Sequence, residues 1–225
     1  MSMSFYVAPE QLMKDKADYA RKGIARGRAL AALSYDGGIL LCADNPSRTL
    51  RKISEIYDRI AFAGVGKFSE FDSLRTAGVR HADMKGYAYS REDVEARSLA
   101  NAYAQLLGQV FTHEMKPMEV EVLVAELGSG PDGDQFFRIS YDGTVVDERN
   151  STALGGDAET VGARLSEAFR EGLDVAGALR AAVGALAGPD GTLGADALEV
   201  AVLARTAERR AFRRIEGPEL ENLLA

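Results

Sequence analysis

Residues 96–124 read ARSLANAYAQLLGQVFTHEMKPMEVEVLV, and the period of the apolar positions changes part-way along them. Ala96, Leu99, Ala100, Tyr103, Leu107, Val110 and Phe111 recur at the three-and-four spacing that places side chains on one face of a helix. Beyond them, Glu119-Val120-Glu121-Val122-Leu123-Val124 nearly alternates polar with apolar, which predicts a strand packed on one side. A long amphipathic helix followed at once by such a strand implies layers, with helices lying on a sheet.

The same reading extends in both directions. Pro9-Glu10 opens a helical pattern with Met13, Ala17, Ala20 and Ile24 on one face, closed by Gly23 and Gly27. Apolar runs at 29–33 and 39–43 flank Tyr35-Asp36-Gly37-Gly38, whose glycines permit the positive φ of a tight hairpin. Strands are predicted at 53–57 and 60–65, then a helix with Phe68, Phe71, Val79 and Ala82 on one face. Downstream, residues 136–141 and 144–147 flank Asp142-Gly143 as a second hairpin. Two helices carry Val161, Leu165 and Ala168, then Val175, Leu179, Val183 and Leu186; strands at 198–204 and 211–215 and a short helix from Pro218 follow. The predicted class is α/β of the α+β kind: mainly antiparallel sheets packed together, with helices on their outer faces.

The 225 residues, 46% hydrophobic and 27% charged, suit one compact domain. Twenty-seven Lys and Arg against 34 Asp and Glu leave a net charge of -7, which argues against nucleic acid as the main partner. The single cysteine, Cys42, lies in an apolar run and reads as core, so no intrachain disulfide framework exists and a reducing compartment fits. Neither a signal peptide nor a membrane span is recognisable, and the expectation is a cytoplasmic protein without a membrane partner. Gly64-Val65-Gly66-Lys67 lacks the glycine and hydroxyl that a phosphate loop would need at Ala61 and Phe68. His113-Glu114 begins a zinc-protease pattern that ends on Pro117, and His81 and Asp83 do not share a helix face, so no metal or other cofactor is expected. No serine or cysteine triad motif stands out.

Composition and periodicity stop at a layered α+β chain. The segments Tyr19–Gly23, Asn45–Arg48, Lys52–Asp58, Lys67–Asp72, Asn101–Gln105 and Arg138–Gly143, however, closely resemble the α subunits of actinobacterial proteasomes. The resemblance runs from Phe5 to Ala187 and weakens at both ends. It implies a four-layer αββα sandwich with an extra N-terminal helix, and a non-catalytic subunit of the 20S core. Seven copies would form a ring stacked on β rings, through which unfolded protein substrates pass.

Catalytic β subunits share this fold and begin their first strand with a threonine whose free amine and neighbouring lysine activate its hydroxyl. By alignment of the first hairpins, Asp44 and Lys52 fall where β subunits hold the acid and the lysine. The nucleophile's place falls near Gly27-Arg28, with a helix before it, so no threonine hydroxyl or free amine is available there. The resemblance further implies a gate in residues 1–8, ahead of a domain over 9–225, with Phe5, Tyr6, Val7, Ala8 and Pro9 at or beside the axial opening. A frayed terminus is the plainer reading of that segment. The Tyr-Asp-Arg gate motif of archaeal relatives is absent here.

Lys14, Lys16, Arg21, Lys22, Arg26 and Arg28 make the first helix and its exit basic. A solvated face would explain them. The resemblance implies instead a rim for the C-terminal tails of an ATPase ring or other activator, received by Lys52, with Gly27 and Lys67 lining the pocket and Arg21 nearby. Archaeal relatives carry an apolar residue at the position of Lys67. Arg205, Arg209, Arg210, Arg213 and Arg214 form a second basic cluster to which the sequence assigns no role. Three readings therefore stand: a gated scaffold subunit, a self-compartmentalised hydrolase, and a binder of nucleic acid through the basic helix.

Overall fold

The computed structural model describes residues 8–225. Helix α1 (Pro9–Ala25) leads into two hairpins, β1 (Leu30–Tyr35) with β2 (Gly38–Asp44) and β3 (Ile53–Tyr57) with β4 (Ile60–Gly66). Helices α2 (Phe68–Ala88) and α3 (Ala96–His113) follow, then β5 (Val120–Glu126), β6 (Gln135–Ile139), β7 (Val145–Glu148) and β8 (Ser151–Leu154). Next come α4 (Ala158–Ala168), α5 (Val175–Ala187), β9 (Leu198–Ala204), β10 (Phe212–Ile215) and α6 (Pro218–Leu224).

The strands form two five-stranded sheets, antiparallel throughout, in the orders β10-β9-β2-β1-β8 and β3-β4-β5-β6-β7. Three cores separate four layers. Leu30, Leu41, Ala63, Leu123, Phe136 and Leu203 fill the space between the sheets. Val122, Val124 and Phe62 on the outer face of the second sheet meet Phe71, Leu99 and Tyr103 of α2 and α3. Leu33, Leu40, Cys42 and Val202 on the outer face of the first sheet meet Leu165, Leu179 and Leu220 of α4, α5 and α6. The expected αββα sandwich is thus the observed one, and Cys42 is wholly buried in it.

Several local expectations change. Strand β5 is packed on both sides: Val120, Val122 and Val124 face the helices while Leu123 and Ala125 face the other sheet. Glu121, which alternation assigned to solvent, is 8% exposed and points into the space between the sheets. Burial raises its pKa, and the Gly155 N–H that donates to it at 3.2 Å and Arg138, paired with it at 3.3 Å, oppose that by favouring the charged form. In the first hairpin only Gly38 takes positive φ (+146°), where a Cβ would meet the Leu203 carbonyl. The buried stripe of α2 is Phe71, Leu74, Gly78 and Ala82, with Phe68 and Val79 at its margin. Strand β8, four residues long, had no individual signal in the sequence.

Candidate functional site

The site lies at the end of the sandwich where α1 delivers the chain to β1. Pairings Leu30↔Ala43, Leu30↔Leu154 and Asp44↔Leu198 bring one end of the first sheet there, and Ile53↔Ala63 and Gly66↔Val120 bring the matching end of the second. Helix α1 stops because Gly27 N–H turns back to Ile24 O at 2.8 Å, and the chain passes through Arg28 and Ala29 into the strand.

Lys52 is half-buried at this junction. Its ammonium donates to Arg28 O at 2.7 Å and to Asp44 O at 3.0 Å, so it ties the entrance of β1 to the exit of β2. The Arg28 guanidinium pairs with the Asp44 carboxylate at 2.8 Å over the same spot. Burial lowers the Lys52 pKa to about 8, against the raising influence of Asp44 and Glu199 and with a smaller lowering by Arg28. An ammonium has three donors, and two are engaged within the chain. The third can serve an incoming acceptor.

Gly27 packs on Val65 and the Gly66 backbone, where a side chain would collide. Gly66 has φ +109°, and a Cβ there would fall on the Glu119 carbonyl, so the turn into α2 requires glycine. Lys67 follows directly; its N–H donates to Glu119 O at 2.9 Å and its ammonium lies 3.4 Å from Glu70. Gly27 thus lies between the Gly66 turn that leads to Lys67 and Arg28, whose carbonyl holds the Lys52 ammonium, while the Lys67 ammonium turns toward Glu70. Arg21 belongs to the next hollow, of about 350 Å³, stacked 5.8 Å from the Tyr141 ring and 3.5 Å from Asp18. That hollow adjoins a second, of about 450 Å³, that contains Gly27, Arg28 and Asp44, and the two share Ala25 and Gly156. Of the expected gate residues, Phe5, Tyr6 and Val7 lie outside the described residues; Ala8 precedes α1, with its carbonyl accepting Leu12 N–H at 3.0 Å, and Pro9 is the first helical residue.

The sequence model of the proteasome subunit family matches residues 24–202. The chain belongs to the proteasome subunit family. Within it, the chain is 63% identical to proteasome subunit alpha of Acidimicrobium ferrooxidans, over 100% of this chain and 97% of that one. It is 60% identical to the alpha subunit of Sanguibacter keddieii, over 100% and 90%, and 59% identical to that of Thermobifida fusca, over 100% and 91%. The chain is therefore a proteasome core alpha subunit.

In this proteasome subunit the second basic cluster acquires an explanation: each arginine has a carboxylate. Arg205 clamps Asp134 at 3.0 Å, Arg210 reaches Glu55 at 2.6 Å, Arg213 reaches Glu219 at 2.6 Å, and Arg214 reaches Glu199 at 2.9 Å. Arg209 approaches Asp58 at 3.9 Å. Asp134, Glu55, Asp58 and Glu219 lie outside the β9–β10 hairpin, so four of the pairs clasp it to its surroundings, while the pair of Arg214 with Glu199 joins β10 to β9. Among the described residues there is no grouping of three or more His, Cys, Asp or Glu fit to hold a metal, and no helix long and apolar enough to cross a membrane.

Proposed function

We propose that the chain is a non-catalytic subunit of the outer ring of a 20S core, seven copies of which scaffold the β rings. In this reading residues 1–8 gate the passage of unfolded protein, residues 9–225 are one domain, and the C-terminal tails of an ATPase ring or other activator dock at Lys52, Gly27 and Lys67, with Arg21 beside them. Threonine-protease activity belongs to the β subunits.

The observation that carries this reading is the junction between α1 and β1. Where a threonine subunit would begin, this chain runs on unbroken from Gly27 through Arg28, and the lysine that would activate a nucleophile is bound to the Arg28 carbonyl. What remains is a half-buried ammonium with a donor to spare, suited to a chain-terminal carboxylate. The test is peptide hydrolysis by the purified chain, alone and assembled with a β subunit, in full-length form and without residues 2–8. The expected result is no activity alone, activity in the assembly, and faster turnover once the segment is removed. Hydrolysis by the rigorously purified chain would overturn the scaffold reading, and unchanged turnover in an intact truncated assembly would overturn the gate.

A further inference from the structure

Glu199, at the start of β9, is 2% exposed, and four donors converge on its carboxylate. Oε2 accepts Asn45 Nδ2 at 2.7 Å and the backbone N–H of Lys52 at 2.8 Å. Oε1 accepts the backbone N–H of Ile53 at 3.2 Å and the Arg214 guanidinium at 2.9 Å. Arg214 also donates to Ile53 O at 2.7 Å, and Asn45 also donates to Leu50 O at 2.9 Å. Glu199 stands on the first sheet, whereas Ile53 opens β3 of the second sheet and Lys52 immediately precedes it. The carboxylate therefore crosses between the sheets to hold the backbone from which the Lys52 side chain departs.

We infer that Glu199, steadied by Asn45 and Arg214, is the positioning residue that fixes Lys52 for recognition of a chain-terminal carboxylate; this rests on the docking role proposed for Lys52. Two features separate this role from simple consolidation of the fold. The held segment is the one that bears the docking ammonium, and both of its first two N–H groups are taken by one side chain. A negative charge at Glu199 also favours the protonated form of Lys52, as does Asp44, while Arg28 and the burial oppose it. Glu199 thus holds the backbone that carries the ammonium and, after Asp44, helps to keep it charged against the burial. Asp134 provides a matched comparison: it is a buried carboxylate paired with Arg205 and accepting Gly128 N–H at 3.0 Å, at the opposite end of the sandwich.

The experiment uses α rings assembled with β subunits and a labelled peptide carrying the C-terminal residues of the host's proteasomal ATPase, titrated across pH, with the C-terminally amidated peptide as reference. Glu199→Gln should bind about three- to tenfold more weakly near neutral pH, because a neutral amide cannot accept from all four donors. The midpoint at which binding is lost should also move below that of the parent. Asp134→Asn should leave that midpoint in place. Asn45→Ala, which loosens the carboxylate without removing its charge, should weaken binding in the same direction and carries the test if Glu199→Gln does not assemble. Parental affinity in Glu199→Gln and Asn45→Ala, with a parental midpoint in Glu199→Gln and Lys52→Ala defective, would overturn the positioning role alone. Parental binding by Lys52→Ala, or equal binding of the amidated peptide, would overturn the docking role and this inference with it.

Discussion

At Lys52 an ammonium group is retained where burial disfavours it, with its pKa brought down to about 8. Backbone carbonyls and the Asp44 and Glu199 carboxylates keep it charged at neutral pH. A tail carboxylate titrates far lower, at about 3.5, so only the lysine changes charge above neutrality. On the docking role proposed for Lys52, tail affinity should be flat at neutral pH and decline as pH rises through about 8, the direction set by loss of the proton from Lys52. Lys52→Ala should remove the step and weaken one tail by about tenfold to a hundredfold, from the roughly 1.5 to 3 kcal/mol of a charge-assisted hydrogen bond. Both are read by titrating the tail peptide against assembled rings over a pH series. Single residues differ in how far the sequence discloses them. Cys42 was legible because its apolar neighbours already describe a core strand. Glu199 was not, because its partners Asn45 and Ile53 lie 154 and 146 positions away and only the closed fold brings them to it.

At the scale of elements, helix α2 shows how tertiary packing overrides local preference. Gly78 lies in the middle of the helix, where alanine would ordinarily be favoured by about 1 kcal/mol. A Cβ at Gly78, however, would fall on Tyr103 Oη, which donates to Leu74 O at 3.1 Å inside the core formed with α3. Gly78→Ala should therefore destabilise the chain by about 2 kcal/mol, because the displaced hydroxyl and the crowded core outweigh the helical gain. Urea unfolding of the variant checks it, and a more stable protein would show that α2 and α3 can separate without loss. Apart from β8, the type and order of the elements could be read from period and turn residues. The sides of the elements could not: β5 alternates like a half-exposed strand, yet its polar position is occupied by a carboxylate folded into the space between two sheets. Two-period alternation reports two faces of different character, and here the difference is between a helix-covered face and a sheet-covered face that ends in the Glu121, Arg138 and Gly155 contacts.

For the whole molecule, the remaining question is what covers the apolar side chains that the monomer leaves outside. Leu12 and Tyr19 are 45% and 48% exposed and stand seven residues apart on α1, two turns along one face, and Met115 is exposed beyond the end of α3. Lys116 stacks 5.6 Å from the Tyr19 ring, so the tyrosine lies along the protein surface. A ring built from identical copies requires each chain to present one surface to the next chain's different surface, and an apolar face on a helix at the subunit margin fits such a contact. Under the ring reading, Leu12→Glu with Tyr19→Glu should leave the isolated fold nearly unchanged, since both positions are solvated there and glutamate is a good helix former. The same pair of charges would be forced into an interface on assembly, where burying them without partners is strongly unfavourable. The expected outcome is a parental thermal unfolding temperature for the monomer together with loss of rings by size-exclusion chromatography and electron microscopy after β subunits are added. Normal rings from the double variant would place α1 outside the contact between neighbours, and a lowered unfolding temperature would show that Leu12 and Tyr19 support the monomer itself.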